Sequence, residues 1–275
     1  MHIVVPIKQV PETSNVKMDP ETGTMLRTAV EGIINPLDLY AIEAALRLRE
    51  SRGGMVTVIS MGPPKTENSL RDALAMGCDK AVLLSDRRFG GSDTWATAYV
   101  LSLAIEKLSP FDLVICGERA TDGETGQVGP EIAAALDLPL VTFVSKVVES
   151  NEDFLRLERM IEGGREQVWS PLPMVVTVLK EIGNPRLGTV RSKLQSRKAT
   201  VPIWGPDDVG AKDEWIGLKG SPTRVVKIFS PQLARKGNII EVKNEEDLEY
   251  AGSAFLKFLK DRDLFELIPK SNGGG

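Results

Sequence analysis

Short apolar runs alternate with segments of helical periodicity through the first half of the chain. The residues between the runs place apolar side chains three and four positions apart, which is typical of amphipathic helices. Strands joined by helical crossovers must run parallel, so this order predicts an α/β fold: a mainly parallel sheet with helices on both faces. The predicted strands are His2–Val10, Met55–Met61, Ala81–Leu84, Leu113–Cys116 and Leu140–Val148, and the predicted helices begin near Pro36, Thr66, Asp93 and Glu124.

Local residues refine this pattern at the N-terminal end. Pro6 has no backbone N–H, so the first strand is expected to lie at a sheet edge or to carry a bulge at this position. Proline and glycine between residues 19 and 23 predict a small hairpin within 16–27. In the segment Asn35-Pro36-Leu37-Asp38, a capping residue is followed by proline at the first helical position and an acid in the first turn, which predicts a helix start.

The pattern changes after Phe154. Extended stretches at 154–160, 166–169 and 174–179 are separated by glycine or proline and predict an antiparallel meander. The following segment, 183–206, is basic and has little apolar periodicity, which favours a surface arm. Asn244 can cap a last helix, and the glycines at 273–275 are expected to be disordered. We therefore predict an α/β domain over 1–183 and an arm with a terminal helix over 184–275. That helix can dock on a partner or back on its own domain.

Composition narrows the classes of function. The chain has 275 residues and a net charge of −4, so no general attraction to nucleic acid or anionic lipid is expected. The basic residues of 183–206 lack the interleaved aromatic residues of a nucleic-acid surface and favour a solvated or partner-facing role. No apolar run approaches the roughly 20 residues that span a bilayer. The N-terminus enters a strand without a signal-peptide pattern, so we expect a cytoplasmic protein without direct membrane insertion.

Few side chains are available for acid–base or metal chemistry. His2 is the only histidine, which argues against catalytic triads and histidine metal clusters. Cys78 and Cys116 lie in or beside apolar segments without the spacing of a metal or redox motif, and both are expected to be reduced core thiols. Any redox chemistry is therefore expected to reside in a bound cofactor, and no metal site is predicted.

A glycine-punctuated loop is the main candidate for ligand binding. The segment 117–130, GERATDGETGQVGP, follows a predicted strand and leads into a helix, where unpaired N–H groups and the helix dipole favour a phosphate. The loop matches neither the GxGxxG fingerprint nor a P-loop, since no lysine follows its glycines. A phosphate cradle for an adenine nucleotide is one interpretation. An ordinary connection with Thr125 as the helix cap is the other.

Three further segments lie where ligands of parallel sheets bind, beyond the carboxyl ends of strands. Asn35 and Asp38 can hydrogen-bond an adenine or a ribose, or can serve only as a helix cap and a first-turn acid. Gly62-Pro63-Pro64 can pack against a nucleotide or form a rigid turn. The segment 90–94 with Thr97 can contact a second phosphate or a polar ring edge, with Ser92 or Asp93 as a plain N-cap the alternative.

These motifs together resemble the small (beta) subunit of electron-transfer flavoproteins. The resemblance is carried by VPIKQVPET, IINPLDLYAIEAALRLRE, SMGPP, LRDALAMGCDKAVLLSD, GSDTWAT and DLVICGERATDGETGQVGPEIAAAL, which cover residues 1–145 in order. NPRLGTVR at 184–191 is similar to the family's recognition loop for redox partners, with Val190 at the usual apolar anchor. The remaining residues match by position more than by motif.

The resemblance implies an adenine nucleotide alpha-hydrolase-like fold with an antiparallel extension and a C-terminal arm that embraces a large (alpha) subunit. Conventional members bind AMP in the small subunit, whereas bifurcating, Fix-like members bind a second FAD there. The segment 122–130 looks like the bifurcating version, with Val128 and Pro130 as its marks. FAD is therefore the expected ligand and AMP the alternative.

The resemblance also implies particular binding residues. Those expected around the adenine, ribose and phosphates are Pro6, Asn35, Asp38, Met61, Gly117, Arg119, Ala120, Asp122, Gly123, Thr125, Gly126, Gln127 and Val128. Asp93, Thr94 and Thr97 are expected nearer the isoalloxazine. The partner-recognition residues implied by the loop are Pro185, Arg186, Val190 and Arg191. No catalytic acid or base is implied.

Three functions follow as hypotheses. The first is a bifurcating subunit that takes electrons from NADH and delivers them to ferredoxin or flavodoxin and to an acyl-CoA dehydrogenase or quinone oxidoreductase, at a membrane only through partner subunits. The second is a conventional carrier subunit with structural AMP. The third is a stand-alone ATP-binding signalling module on the same kind of sheet. Flavin potentials, final acceptors and additional subunits cannot be predicted from the sequence.

Overall fold

The structure is a computed structural model that describes residues 1–12, 32–224, 239–262 and 264. Its contacts divide the chain into two compact units, Met1–Arg224 and Val225–Gly275. The hairpin predicted within 16–27 and the disorder predicted for 273–275 lie outside the described residues.

The first unit contains a nine-stranded sheet, and its elements follow the predicted α/β order. The strands of the sheet are β1 His2–Pro6, β4 Met55–Met61, β5 Lys80–Leu84, β6 Leu113–Gly117, β7 Leu140–Ser150, β8 Phe154–Ile161, β9 Gly164–Pro171, β10 Met174–Val178 and β11 Ile203–Trp204. The short strands β2 Gln9–Pro11 and β3 Gly32–Ile34 pair separately. The helices are α1 Pro36–Arg52, α2 Glu67–Met76, α3 Thr94–Lys107, α4 Val128–Ala135, α5 Val190–Ser196, α6 Pro206–Val209 and α7 Gly217–Gly220.

Helices cover both faces of the sheet, as predicted. Successive side chains of β1 point to opposite faces, so Ile3 and Val5 pack in one core while Val4 packs in the other. The first core includes buried residues of α1 and α2, such as Leu46 and Leu70. The second is built from the apolar faces of α3 and α4. The sheet is therefore a rigid central layer whose strand ends form one polar edge.

The strand order is β11-β5-β4-β1-β6-β10-β7-β8-β9. The chain adds β4 and β5 on one side of β1 and then returns to place β6 on the other side. The direction of winding thus reverses between β4 and β6, with β1 at the centre. A reversal of this kind opens a crevice beyond the carboxyl ends of the strands.

Two expectations about strands are wrong. β1 is central rather than an edge strand; Pro6 is tolerated because it is the last residue of β1, and the pairing with β6 involves only Ile3 and Val4. β10 is not the third strand of a meander, because it inserts parallel between β6 and β7. Only β8 and β9 form the antiparallel extension beyond β7. Apolar content alone could not distinguish these two positions for β10, since all five of its residues are buried.

The predicted surface arm begins inside the first unit. α5 packs on α2, and β11 pairs with β5 at the edge of the sheet. The predicted boundary after residue 183 therefore differs from the division found at Arg224.

The second unit contains α8, Glu245–Lys260, which begins as predicted: the Asn244 side chain accepts a hydrogen bond from the backbone N–H of Asp247 at 2.8 Å. In the part of the chain that the structure describes, no helix is long and apolar enough to cross a membrane.

Candidate functional site

A cavity of about 900 Å³ lies at the polar edge of the sheet. Its walls come from the ends of β1, β4, β5 and β6 and from the two segments that lead into α3 and α4. This is the position at which the winding reverses, and the volume is at the upper end of the ~300–1,000 Å³ typical of small-molecule sites. The cavity is therefore the candidate ligand site of the chain.

The loop between β6 and α4 forms one wall and is longer than predicted. Glu124 and Gly126 have φ angles of 53° and 63°, in the left-handed region, so the helix cannot start there. α4 instead starts at Val128, and its first turn has no side-chain cap. The helix expected from Glu124 therefore begins four residues later, and the alternative in which Thr125 caps it is also wrong, because Gln127 occupies the N-cap position. The uncapped first turn and the loop N–H groups can serve an anion in the cavity.

Asn35 and Asp38 hold this loop in place. The Asn35 Nδ2 group donates to Asp38 Oδ1 and to the carbonyl oxygen of Arg119, both at 2.9 Å, and Asn35 Oδ1 accepts from the N–H of Thr121 at 3.2 Å. Asn35 is fully buried and does not use its side chain to cap α1. Asn35 thus occupies the N-cap position of α1, as predicted, but its side chain supports the cavity wall from behind instead of capping the helix.

Lys8 contacts the same loop at the rim of the cavity. Its Nζ lies 2.6 Å from Asp122 Oδ1, and its backbone N–H donates to Asp38 Oδ2 at 2.7 Å. Lys8 lines the cavity, whereas Asp122 does not. Lys8 was not among the predicted binding residues; the available signal was a cation near the carboxyl end of the predicted first strand, His2–Val10.

The charges of the lining are mixed. Cations are supplied by Lys8, Arg87 and Arg119, and carboxylates by Asp38, Asp86, Asp93 and Glu118. Arg119 pairs with neighbouring Glu118, which reduces its positive field. Burial raises the pKa of Asp38 to about 7, although hydrogen bonds from Lys8 and Asn35 favour its charged form. Protonation of Asp38 near neutral pH lowers the negative charge that a phosphate would meet.

The far end of the cavity is built at the start of α3. Asp93 is the N-cap of this helix, as one sequence-based alternative predicted, and its Oδ1 accepts from the N–H of Ala96 at 3.1 Å. Its Oδ2 accepts from the backbone N–H and the hydroxyl of Thr223 at 2.9 and 2.7 Å. Partial burial opposes these bonds, yet they hold the pKa of Asp93 below its ordinary value. Asp93 thus links the cavity wall to the last residues of the first unit.

Thr94 joins α3 to α4 at this end. Its hydroxyl donates to Glu131 Oε1 at 3.0 Å, while Glu131 Oε2 is buried and has no hydrogen-bond partner among the described residues. Burial raises the pKa of Glu131, and the charge of Asp93 adds to that effect. A raised pKa favours a protonated carboxyl, which can donate a hydrogen bond.

The structure brings most of the predicted binding residues together. Those that line the cavity are Pro6, Asp38, Met61, Asp93, Thr94, Thr97, Gly117, Arg119, Ala120, Gly123, Thr125, Gly126, Gln127 and Val128. Asn35 supports the wall from behind, and Asp122 contacts Lys8 at the rim. The segment after β5 was largely missed: Ser85, Asp86, Arg87 and Phe89 also line the cavity. Their position directly after β5 could have identified them, because β5 ends at the same edge of the sheet as β4.

The predicted partner-recognition residues lie elsewhere. None of Pro185, Arg186, Val190 and Arg191 lines the cavity. Val190 and Arg191 border a separate groove of about 460 Å³ on α5. Arg186 pairs with glutamates of α1.

Comparison with known proteins identifies a family for most of the chain. The model of the electron transfer flavoprotein domain matches residues 22–209. An electron transfer flavoprotein subunit beta from Thermoanaerobacterium thermosaccharolyticum is 49% identical over 240 residues, covering 87% of this chain and 92% of the relative. The caffeyl-CoA reductase-Etf complex subunit CarD of Acetobacterium woodii is 42% identical over 96% of this chain and 100% of its own length. Protein FixA of Azotobacter vinelandii is 41% identical over 98% of this chain and 99% of its own length.

Proposed function

The chain belongs to the electron transfer flavoprotein family and is of the beta-subunit type, and we propose that its cavity binds FAD for electron bifurcation. The single observation that carries the proposal is the extent of the cavity. It runs from the loop 117–129 to Asp93, Thr94 and Thr97 at the start of α3. A mononucleotide needs only the first end, whereas a dinucleotide with an isoalloxazine uses both.

The residues present fit the adenine and phosphate portion of FAD. Gly123 and Gly126 line the cavity, and a Cβ added at Gly123 would meet no protein atom within 4 Å. The backbone can therefore approach a ligand closely along this stretch. The uncapped start of α4 faces the same space, and Lys8 and Arg119 add positive charge. These groups would bind the phosphates, with Asn35 orienting the loop.

The residues at the other end fit a larger ring system. Phe89 and Leu101 supply apolar wall, and Thr94 and Thr97 supply hydroxyl groups. Glu131 does not itself line the cavity, but its Oε1 accepts from the Thr94 hydroxyl and so fixes the direction of that group. Apolar walls with a few directed polar groups are the usual composition of a cofactor site.

When bound, FAD would supply hydride acceptance from NADH and single-electron transfer, which no side chain of this chain provides. The chain's own contribution is to bind the cofactor, to exclude water from it and to set the charge around it. The acceptors in this proposal are ferredoxin or flavodoxin and an acyl-CoA dehydrogenase or quinone oxidoreductase. The partner that completes the assembly is the large (alpha) subunit.

The relatives support this branch of the family. CarD belongs by name to a complex with caffeyl-CoA reductase, and FixA is the type of relative that the Fix-like resemblance predicts. Val128 and Pro130 resemble the bifurcating version of the family's loop. A stand-alone ATP-binding module gains no support, since these three relatives carry the names of electron transfer subunits or of FixA.

The test is the nucleotide content of the heterodimer. The chain is co-expressed with its large subunit, purified and denatured, and the released nucleotides are separated and quantified. Two FAD per heterodimer, with NADH bleaching the flavin absorbance, is the expected result. One FAD and one AMP per heterodimer would instead establish the conventional carrier and overturn the proposal.

A further inference from the structure

The Thr94 hydroxyl is a cavity-lining group whose proton already has a partner. Thr94 lines the cavity, and its Oγ1 donates to Glu131 Oε1 at 3.0 Å. A threonine hydroxyl has one proton and two lone pairs, so this bond uses its only donor. While the bond to Glu131 is in place, Thr94 can only accept a hydrogen bond from a ligand in the cavity.

The backbone on both sides holds this pair in position. Thr94 is the first residue of α3, and the Asp93 carboxylate caps that helix. Glu131 is in the first turn of α4, and Gly129 lets this turn approach the sheet closely, since a Cβ added there would meet Thr177 Cγ2 at 2.8 Å. Neither Thr94 nor Glu131 can move far without disturbing the start of a helix, so their hydrogen bond has a fixed direction.

Glu131 itself stays outside the cavity. It does not line the cavity wall, and its Oε2 is buried without a hydrogen-bond partner among the described residues. Burial raises the pKa of Glu131, the hydrogen bond from Thr94 lowers it, and the charge of Asp93 raises it further. The carboxyl therefore has two forms to consider, ionised and protonated, which need no movement of heavy atoms to interconvert.

The two forms of Glu131 impose opposite directions on the Thr94 hydroxyl. An ionised carboxylate can only accept, so Thr94 donates to it and presents lone pairs to the cavity. A protonated carboxyl oxygen can donate to Thr94 Oγ1, which frees the hydroxyl proton to point into the cavity. The ionised form thus suits a ligand N–H, whereas the protonated form suits a ring nitrogen or a carbonyl oxygen that accepts hydrogen bonds.

Thr97, one turn further along α3, provides a contrast. It also lines the cavity, but its hydroxyl has no hydrogen-bond partner in the part of the chain that the structure describes. Its proton can therefore rotate to suit either a donor or an acceptor. Of these two threonines, Thr94 alone has a fixed polarity, and Glu131 sets it.

We propose that Glu131 is a positioning residue that makes Thr94 a hydrogen-bond acceptor and thereby favours the reduced form of the cofactor. The inference rests on the proposed binding of FAD. A hydride from NADH carries two electrons and one proton, so a ring nitrogen that accepts hydrogen bonds before the transfer carries an N–H afterwards. Thr94 can accept from that N–H, and Glu131 acts through Thr94 without touching the cofactor.

The negative charge of Glu131 acts in the opposite direction. An anion near the ring disfavours added electrons, so removal of the charge alone would raise the reduction potential. Loss of the acceptor at Thr94 would lower the potential, because the reduced form loses a hydrogen bond that the oxidised form does not make. The sign of the shift therefore separates positioning from a simple charge effect.

The test is the reduction potential of each flavin in the heterodimer, measured against reference dyes without oxygen at about pH 8, well above the ordinary carboxyl pKa. Glu131→Gln is uncharged and can donate to Thr94 as a protonated carboxyl does. It should lower the potential of one flavin by about 30 mV, a tenfold change in the ratio of the dissociation constants of the oxidised and reduced forms. The flavin of the large subunit should not shift and is an internal reference.

Substitutions of Thr94 test whether Glu131 acts through it. Thr94→Val should lower the same potential by a similar amount, and Glu131→Gln added to Thr94→Val should cause no further fall. Thr94→Ser keeps the hydroxyl and should retain the wild-type potential. The FAD content of each variant is measured in parallel; if Glu131→Gln fails to hold FAD, the comparison of Thr94→Val with Thr94→Ser still decides whether the hydroxyl favours the reduced form.

Thr97→Val and Glu106→Gln are the matched controls. Thr97→Val removes a cavity hydroxyl that has no contact with Glu131, so Glu131→Gln should still lower the potential in that background. Glu106→Gln neutralises an exposed carboxylate near the other end of α3 and should leave both potentials unchanged.

Three outcomes would overturn the positioning role of Glu131. They are a rise in potential in Glu131→Gln, a fall that persists in the Thr94→Val background, and potentials that neither Glu131→Gln nor Thr94→Val changes. Failure of the wild-type heterodimer to bind a second FAD would instead refute the proposed function.

Discussion

Lys8 and Asp122 are 114 residues apart in the chain, yet Lys8 Nζ lies 2.6 Å from Asp122 Oδ1 at the rim of the cavity. The pair joins the end of β1 to the loop that precedes α4. Both side chains are partly exposed, so the pair contributes at most about 1 kcal/mol to folding. Its importance is instead that the Lys8 ammonium is held beside the space in which phosphates are expected.

Replacing Lys8 should weaken nucleotide binding more than it weakens folding. We expect Lys8→Gln to raise the dissociation constant for FAD about tenfold, because a phosphate loses one charge-assisted contact, with the melting temperature nearly unchanged. Asp122→Asn is the matched variant: it breaks the same ion pair but keeps the ammonium, so its affinity should equal or exceed that of the wild type. The measurement is fluorescence titration of the deflavinated heterodimer. Equal losses in both variants would show that only the ion pair matters.

Removing the Asn35 amide should loosen the loop. Asn35→Ala deletes three hydrogen bonds and leaves Asp38 Oδ1, the Arg119 carbonyl and the Thr121 N–H without those partners. Unsatisfied groups near the core cost about 1–3 kcal/mol each, so the free energy of unfolding should fall by several kcal/mol. Hydrogen exchange should accelerate at 119–124 before it does elsewhere. Asn151→Ala, at the exposed β7–β8 turn, removes two side-chain acceptor contacts outside the cavity and should leave exchange at 119–124 unchanged.

Some features of the fold and the cavity could be predicted from the sequence, and others could not. Strand ends and glycines are local features, so the position of the loop and most of the cavity lining could be predicted. The Asn35–Arg119 contact joins residues 84 apart and the Arg186–Glu43 pair joins residues 143 apart. Such pairings depend on how helices stack on the sheet, which no local pattern specifies. The insertion of β10 between β6 and β7 was missed for the same reason, because its apolar sequence suits either position.

Asp38 should make stability and binding depend on pH. Its pKa is raised from 3.8 to about 7 in the folded state, mainly by burial. Between pH 4 and 7 the folded chain holds a proton on Asp38 that the unfolded chain has lost. The contribution of this group to the free energy of unfolding is therefore full below pH 4 and declines as pH rises towards 7. The slope is at most about 1.4 kcal/mol per pH unit. Affinity for an anionic nucleotide should also fall as pH rises through 7. Asp38→Asn should flatten both profiles between pH 5 and 8, as measured by denaturant unfolding and by titration with FAD.

Glu43 provides the control of opposite sign. Its pKa is lowered, so its contribution is present at neutral pH and is lost on acidification. In Glu43→Gln the free energy of unfolding should therefore fall less on acidification, and its pH dependence near pH 7 should be unchanged. If Asp38→Asn retained the wild-type profile through pH 7, another group would be responsible for that dependence.

Asp93 should couple the cavity to the end of the first unit. Its two carboxylate oxygens have separate tasks: Oδ1 caps α3 through Ala96, and Oδ2 holds the backbone and hydroxyl of Thr223. Asp93→Ala removes both and should cost about 1–2 kcal/mol through the cap alone. Thr223→Val removes only the hydroxyl contact and keeps the cap. Hydrogen exchange at 217–223 should accelerate in both variants, whereas exchange at the start of α3 should accelerate only in Asp93→Ala.

Because Asp93 lines the cavity, saturating FAD should slow exchange at 217–223 in the wild type. If FAD protected only the loop 117–129 and left 217–223 unchanged, the Asp93–Thr223 contact would be structural and the two regions would be independent.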